Sequence, residues 1–270
     1  MPRINHSKYI SEILNLVQNI LTVSPVKNTV IDKLNSNNEK SIEMDIYIEN
    51  LVIDYIKSKH LPYQVFAEEG GHTRVSNNPR YYVTFDPLDG STNYSVGKNF
   101  LPYGFLIAVY GNLEPKISDV ICAGALEITN SLSWIYSEGK TLKLKDQTPT
   151  DITQKVIPDM HTPVYLDLYK KVNYDFYALF AQQVFIRNSG SSIGNLALTL
   201  EGVSTALGGS KVKPEEIGTI YALIKGAGGK IINQQGQDFG NITFSADNTY
   251  DILAVNPYVI DFLKRIIIKK

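Results

Sequence analysis

Apolar side chains recur three and four positions apart at Ile10, Ile13, Leu14, Val17, Ile20 and Leu21, which predicts an amphipathic helix from about Tyr9 that ends before Pro25. A second helix is predicted over 42–56, where Ile48, Leu51, Val52, Tyr55 and Ile56 share a face and Asp45 stands in the first turns. The period then changes. The runs YQVFA (63–67), RYYVTF (80–85), GFLIAVY (104–110), DVICAGAL (119–126) and SLSWIY (131–136) are short and rich in β-branched and aromatic residues, as strands are. A polar, turn-rich stretch over 138–158 follows, and then short strands alternate with helices. Strands are predicted at 183–187, 203–207, 229–233 and 251–255, and helices at 193–200 and 215–225. A last helix is predicted over 257–268, with Asn256 as its cap and Pro257 at its first position. This order predicts an α+β to α/β layered assembly of two subdomains, residues 1–140 and 141–270.

The 270 residues, 43% of them hydrophobic, suffice for a buried core and exclude a disordered chain. Lys and Arg number 26 against 27 Asp and Glu, so overall charge offers nothing to a nucleic acid. The single cysteine, Cys122, forms no intrachain disulfide, and MPRINHSKYI lacks the apolar stretch of a signal peptide, so a cytoplasmic location is expected. No window approaches the roughly 18–20 apolar residues of a membrane helix, and no membrane partner is expected.

The chemistry is concentrated in residues 66–94. Glu68 and Glu69 follow one predicted strand, and Asp86 and Asp89 follow the next. Ends of neighbouring strands are where α/β folds place reactive groups; Pro87 turns the chain and Gly90 permits close backbone approach. Such pairs taken singly are ordinary loop charges. Brought together, four carboxylates repel and need cations or protons. Oxygen donors without His or Cys favour a hard ion, Mg²⁺ or Mn²⁺, over zinc. Two dications about 4 Å apart repel by roughly 16 kcal/mol at an effective dielectric near 20, so a bridging carboxylate is required, and Asp86 is the candidate. The turn Gly90-Ser91-Thr92-Asn93 offers backbone N–H groups to a phosphate oxygen, and Ser91 a hydroxyl that can orient water.

Other phosphate chemistries fail on spacing. GSSIGN (190–195) lacks the Gly-Lys-Ser/Thr ending of a Walker loop. No arginine stands six residues after Cys122, Asp86 and Asp89 are too far apart for an aspartyl-phosphate pair, and Leu88 breaks an EF-hand pattern. His6, His60, His72 and His161 show no metal-ligand spacing. Water remains as the nucleophile.

Asp86-Pro87-Leu88-Asp89-Gly90-Ser91-Thr92-Asn93, with Glu68-Glu69 before it, resembles the first motif of the inositol monophosphatase family of lithium-sensitive, metal-dependent phosphatases, which includes archaeal-type fructose-1,6-bisphosphatases. The resemblance covers nearly the whole chain. It implies an αβαβα sandwich of the sugar phosphatase type, two or three Mg²⁺ ions for which Mn²⁺ can substitute, and a homodimer. It further implies that Glu68, Asp86 and the Leu88 carbonyl hold a first metal, and that Asp86, Asp89 and a second-half acid hold another. Asp45 falls where the family has an aspartate that works with the hydroxyl at 91 to activate water.

The second half departs from the pattern. Where the family has Trp-Asp, this chain has Glu215-Glu216, so Glu216 stands in for the second-metal aspartate, and its extra methylene moves the carboxylate by roughly 1.5 Å. Where inositol phosphatases carry a ring-binding glutamate, this chain has Gly208-Gly209, followed by Lys211 and Lys213, which suit a second phosphate or a carboxylate. Ser189, Gly190, Ser191 and Ser192 are expected to line the pocket through backbone N–H groups, with Glu69 and Thr92 in lesser roles. The expected function is hydrolysis of a small phosphorylated polyol or sugar. Fructose-1,6-bisphosphatase and 3′-phosphoadenosine phosphate phosphatase activities remain alternatives, as does a catalytically weak metal-binding regulatory protein.

Overall fold

The computed structural model describes residues 4–23, 30–34, 40–98, 100–145, 148–151, 163–166, 178, 184–202, 206–233 and 235–255. Helices α1 (His6–Val23) and α2 (Glu43–Ser58) flank a ribbon of β1 (Val30–Leu34) and β2 (Lys40–Ile42). The main sheet comprises β3 (Tyr63–Ala67), β4 (Gly71–Arg74), β5 (Tyr81–Asp89), β6 (Gly104–Tyr110), β7 (Val120–Glu127), β8 (Leu132–Ser137), β9 (Lys140–Lys145) and β10 (Thr148–Asp151), with a short helix α3 (Ser91–Gly97) after β5. Its spatial order is β10-β9-β8-β7-β6-β5-β3-β4. A second sheet comprises β11 (Pro163–Leu166), β12 (Phe185–Arg187), β13 (Ala206–Val212), β14 (Lys230–Ile232) and β15 (Tyr250–Val255), in the order β12-β11-β13-β15-β14. Helices α4 (Ser192–Leu200) and α5 (Pro214–Gly226) lie in the chain between its strands.

The main sheet is covered on both faces, and β6 shows how. Its Phe105, Ile107 and Val109 join α1 and α2 in one core, while Leu106, Ala108 and Tyr110 face α5 in the other. Period-2 alternation thus feeds two cores at once, and an apolar run with no polar face is what such a strand requires. Each fully buried Leu, Ile, Val or Phe contributes about 1.5–3 kcal/mol. Helix α5 is buried from Pro214 to Ile224 because its other side packs on the second sheet, against Ile231, Ile252 and Ala254. Gly218 seats it: a Cβ there would stand 2.9 Å from the Ala108 Cβ and collide with the Tyr110 hydroxyl.

The described layers therefore run α, β, α, β, a mixed α/β fold with a helix-flanked central sheet. The helix predicted over 257–268 lies outside the described residues. Strands 63–67 and 104–110 have the bounds read from the sequence. The stretch read as polar and turn-rich carries β9 and β10, which extend the main sheet past residue 140; alternating lysines obscure Leu142 and Leu144, which pack against the α1/α2 core. The strand predicted at 203–207 starts at Ala206 and continues through Gly208-Gly209, two residues that carry no strand signal. Residues 203–205 lie outside the described set. No helix among the described residues is long and apolar enough to cross a membrane.

Candidate metal centre

Strand β5 is parallel to β3 and antiparallel to β6, and its pairing with β6 slips between Asp86 and Asp89. Asp86 lies opposite Leu106 and Asp89 opposite Gly104, so β5 carries one extra residue, at the point where Pro87 has no N–H for the ladder. The extra residue inverts the alternation. Leu88 falls into the α1/α2 core, beside Val83 and Phe85, and Asp89 turns to the same side as Asp86. The Leu88 N–H donates to Asp86 Oδ1 at 2.9 Å and fixes that carboxylate.

Glu216 enters from the first turn of α5, where a carboxylate suits the helix dipole. Asp86, Asp89 and Glu216 offer one oxygen each, all within 4.8 Å of one another and all buried. Helix α4 supports two of them: the N–H groups of Ser192 and Ile193 donate to the two Asp89 oxygens, at 3.2 and 2.6 Å, and Ser192 Oγ donates to Glu216 Oε2 at 2.7 Å.

Glu68 follows β3, whose Ala67 pairs with Phe85, and so stands in register beside Asp86. It is not part of the three-carboxylate group. Its Oε1 receives the Lys213 ammonium at 2.5 Å. Lys213 is the residue capping α5, and the lysine expected to meet a ligand meets a carboxylate of the chain itself. Lys211, by contrast, sits exposed in the bulge of β13, its N–H donating to Asp251 at 3.0 Å.

Asp45 is buried at the third position of α2, where its Oδ2 accepts the Ile42 N–H at 3.2 Å in the manner of half a capping box. Its Oδ1 has no hydrogen-bond partner among the described residues, so the bond from Ser91 that the resemblance implies is not made. Ser91 opens α3 half-buried after Gly90, whose φ of 80° is left-handed; Thr92 is exposed. One turn along α2 from Asp45, the buried Glu49 accepts the Glu69 N–H at 2.7 Å and pins the turn that carries Glu68. Glu49 escaped the sequence reading, although its i+4 relation to Asp45 places both on one helix face.

The side chain of Asn93, the last residue of the motif, has a role that the sequence does not declare. Its Nδ2 donates to the carbonyls of Pro102 and Ser189, at 2.7 and 2.9 Å, and joins the end of β5 to the Gly-Ser segment. Ser191 Oγ donates to the same Pro102 carbonyl and accepts the Gly194 N–H, capping α4. The N–H groups of Ser189, Gly190 and Ser192, expected to face a ligand, instead meet Asn195, Asn188 and Asp89. These turns need their donors to hold their own shape.

Burial raises the titration of Asp86, Asp89, Glu216 and Asp45. Asp86 is held well above the usual range by burial, then by Glu68, Asp89 and Glu216. Glu216 is raised by burial and by Asp89. Burial takes Asp89 only to about 6, because the Ile193 and Ser192 N–H groups stabilise its anion. Burial and the Glu68 charge push Asp45 up to about 8. Tyr94, buried with no partner for its hydroxyl among the described residues, is raised by burial and by Asp45. A buried, all-oxygen, mutually repelling set of this kind can hold a divalent cation such as Mg²⁺.

Residues 10–260 match the family model described as the inositol monophosphatase family. The chain is 26% identical over 231 residues to the Nus factor SuhB of Xylella fastidiosa, an alignment covering 84% of this chain and 80% of that protein. It is 26% identical over 247 residues to a fructose-1,6-bisphosphatase/inositol-1-monophosphatase of Aquifex aeolicus, covering 85% and 84%. The fructose-1,6-bisphosphatase of Leishmania major has the same fold, with a TM-score of 0.79 at 14% identity over 97% of this chain and 93% of that one.

Proposed function

Since this chain belongs to the inositol monophosphatase family, we propose that it is a Mg²⁺-dependent phosphomonoesterase acting on a small phosphorylated polyol or sugar. The convergence of Asp86, Asp89 and Glu216 carries this reading, because three buried acids at one point have no stable state at neutral pH without a cation or protons. Those three residues would hold one Mg²⁺ or Mn²⁺ ion, and Glu68, Asp86 and the Leu88 carbonyl another. The bound ion supplies Lewis-acid polarisation of the phosphoryl group and of a nearby water.

The rest falls to the chain. The N–H groups that open α3 after Gly90 hold the transferring phosphoryl group. Ser91 orients the attacking water, and Asp45, ionised when a bound cation offsets the neighbouring charges that raise it, takes up the water's proton through Ser91. The open Oδ1 of Asp45 supports this role, since it has room for one more donor. Water oxygen bonds to phosphorus as the ester P–O bond breaks; the departing alkoxide takes a proton from solvent, Asp45 returns its own to solvent, and alcohol and inorganic phosphate leave.

The test is phosphate release with Mg²⁺ from inositol 1-phosphate, fructose 1,6-bisphosphate and 3′-phosphoadenosine 5′-phosphate. Release from at least one, abolished by EDTA, is expected. Silence on all three with metal bound favours the regulatory alternative, to which the lysine seated on Glu68 lends support. A homodimer is part of the proposal, supported by exposed Val96 and Phe100, and light scattering checks it.

A further inference from the structure

We propose that the Lys213 ammonium is a resident cation of the cluster, withholding Glu68 from metal, so that the chain takes up one divalent ion readily and a second only by displacing Lys213. The inference rests on the metal-dependent reading above and concerns how many ions that site accepts.

The geometry is specific. Lys213 caps α5 three residues before Glu216, and Pro214 fixes the backbone between them. The side chain is 21% exposed and reaches back to a carboxylate that is itself 9% exposed. A lysine that only solubilises a surface keeps its ammonium in water; this one gives up hydration and rotamer freedom, and a nearby anion must offset both. Its charge acts on Asp45, Asp86, Asp89 and Glu216 as well as on Glu68.

Charge counting leads to the same place. Glu68, Asp86, Asp89 and Glu216 bring four negative charges when ionised. One dication and Lys213 leave a single negative charge, where Lys213 alone would leave three. Two dications with Lys213 in place leave a net positive cluster, and the second would confront the ammonium at the same carboxylate. The three-carboxylate group, aligned by α4, does not depend on Glu68. The two uptake events are therefore unequal.

Mn²⁺ titration of the full chain, followed by the paramagnetic resonance of free Mn²⁺ and by calorimetry, counts the ions. The unaltered protein is expected to take one equivalent tightly. Lys213→Met is expected to take two, or to bind the second at least about tenfold tighter, and Lys213→Arg, which keeps the charge, to behave as the unaltered protein. If Lys213→Met does not fold, Lys213→Gln serves. Two equal ions in the unaltered protein, an unchanged second affinity in the neutral variant, or an Arg variant that behaves like Met would each overturn the proposal. Phosphate release with an unaltered ion count in Lys213→Met would sink the inference and leave the phosphatase reading standing. No Mn²⁺ uptake by any of the chains would sink both.

Discussion

The two sides of the acidic cluster are built on different principles. On one side the oxygens of Asp86, Asp89 and Glu216 are aimed by short, stiff donors: a backbone N–H two residues on, the first N–H groups of a helix, and a serine hydroxyl on that same helix. On the other, Glu68 is held by the end of a long lysine, and Asp45 keeps one oxygen without a hydrogen-bond partner among the described residues. Donors fixed by the backbone set ligand geometry in advance, whereas a flexible cation and an open acceptor can be rearranged when something binds. On the proposed function, the contrast separates a side shaped in advance for metal from a side that can adjust when metal and substrate bind.

The most severe way to break this division is Asp86→Asn, which removes the charge at the centre of the rigid side. Turnover is expected to fall by more than about 10³-fold in a phosphate-release assay, and near-normal activity would take Asp86 out of the centre. Ser91→Ala addresses the adjustable side. The rate should drop by about 10²- to 10⁴-fold while Mn²⁺ uptake is retained, and parallel loss of metal would move Ser91 to the other group. Glu216→Asp sharpens the rigid side: the shorter chain draws the carboxylate away from Ser192 Oγ, and calorimetry should show metal affinity lowered about 10- to 100-fold. Unchanged affinity would mean that the serine does not aim it.

The smallest effect is on stability. Asp45 near 8, Asp89 near 6, and the raised Asp86 and Glu216 bind protons more tightly folded than unfolded. Stability of the metal-free chain is therefore full below about pH 4, the unfolded value, and declines as pH rises through 6 towards 8. Thermal melts in EDTA should show a midpoint lower at pH 8 than at pH 5 by several degrees, about what a few kcal/mol moves in a domain of this size, with Mg²⁺ removing most of the difference. A flat profile would mean that the chain already neutralises its own acids.

What could be read in advance was local. The run Asp86–Asn93 declares itself within eight residues, and β3 and β6 declare themselves by composition and period. The bulge at Pro87 was out of reach because a slipped register belongs to a pair of strands, and β6 is the partner that exposes it. Lys213 and Glu68 lie 145 residues apart, and no spacing rule joins them. In the sequence the departure that stands out is Glu216, with one methylene more than the aspartate it replaces. The structure gives that carboxylate a serine to rest on, and the unusual feature lies across the cluster at Glu68.

The single amide of Asn93 has a further consequence. By donating to the carbonyls of Pro102 and Ser189, it rivets the end of β5 to the segment that opens α4. A clamshell that swings shut over its cargo would have to tear that rivet on every cycle. Separating those two segments would cost both hydrogen bonds, about 1–3 kcal/mol together, so the rivet biases the site towards its present spacing.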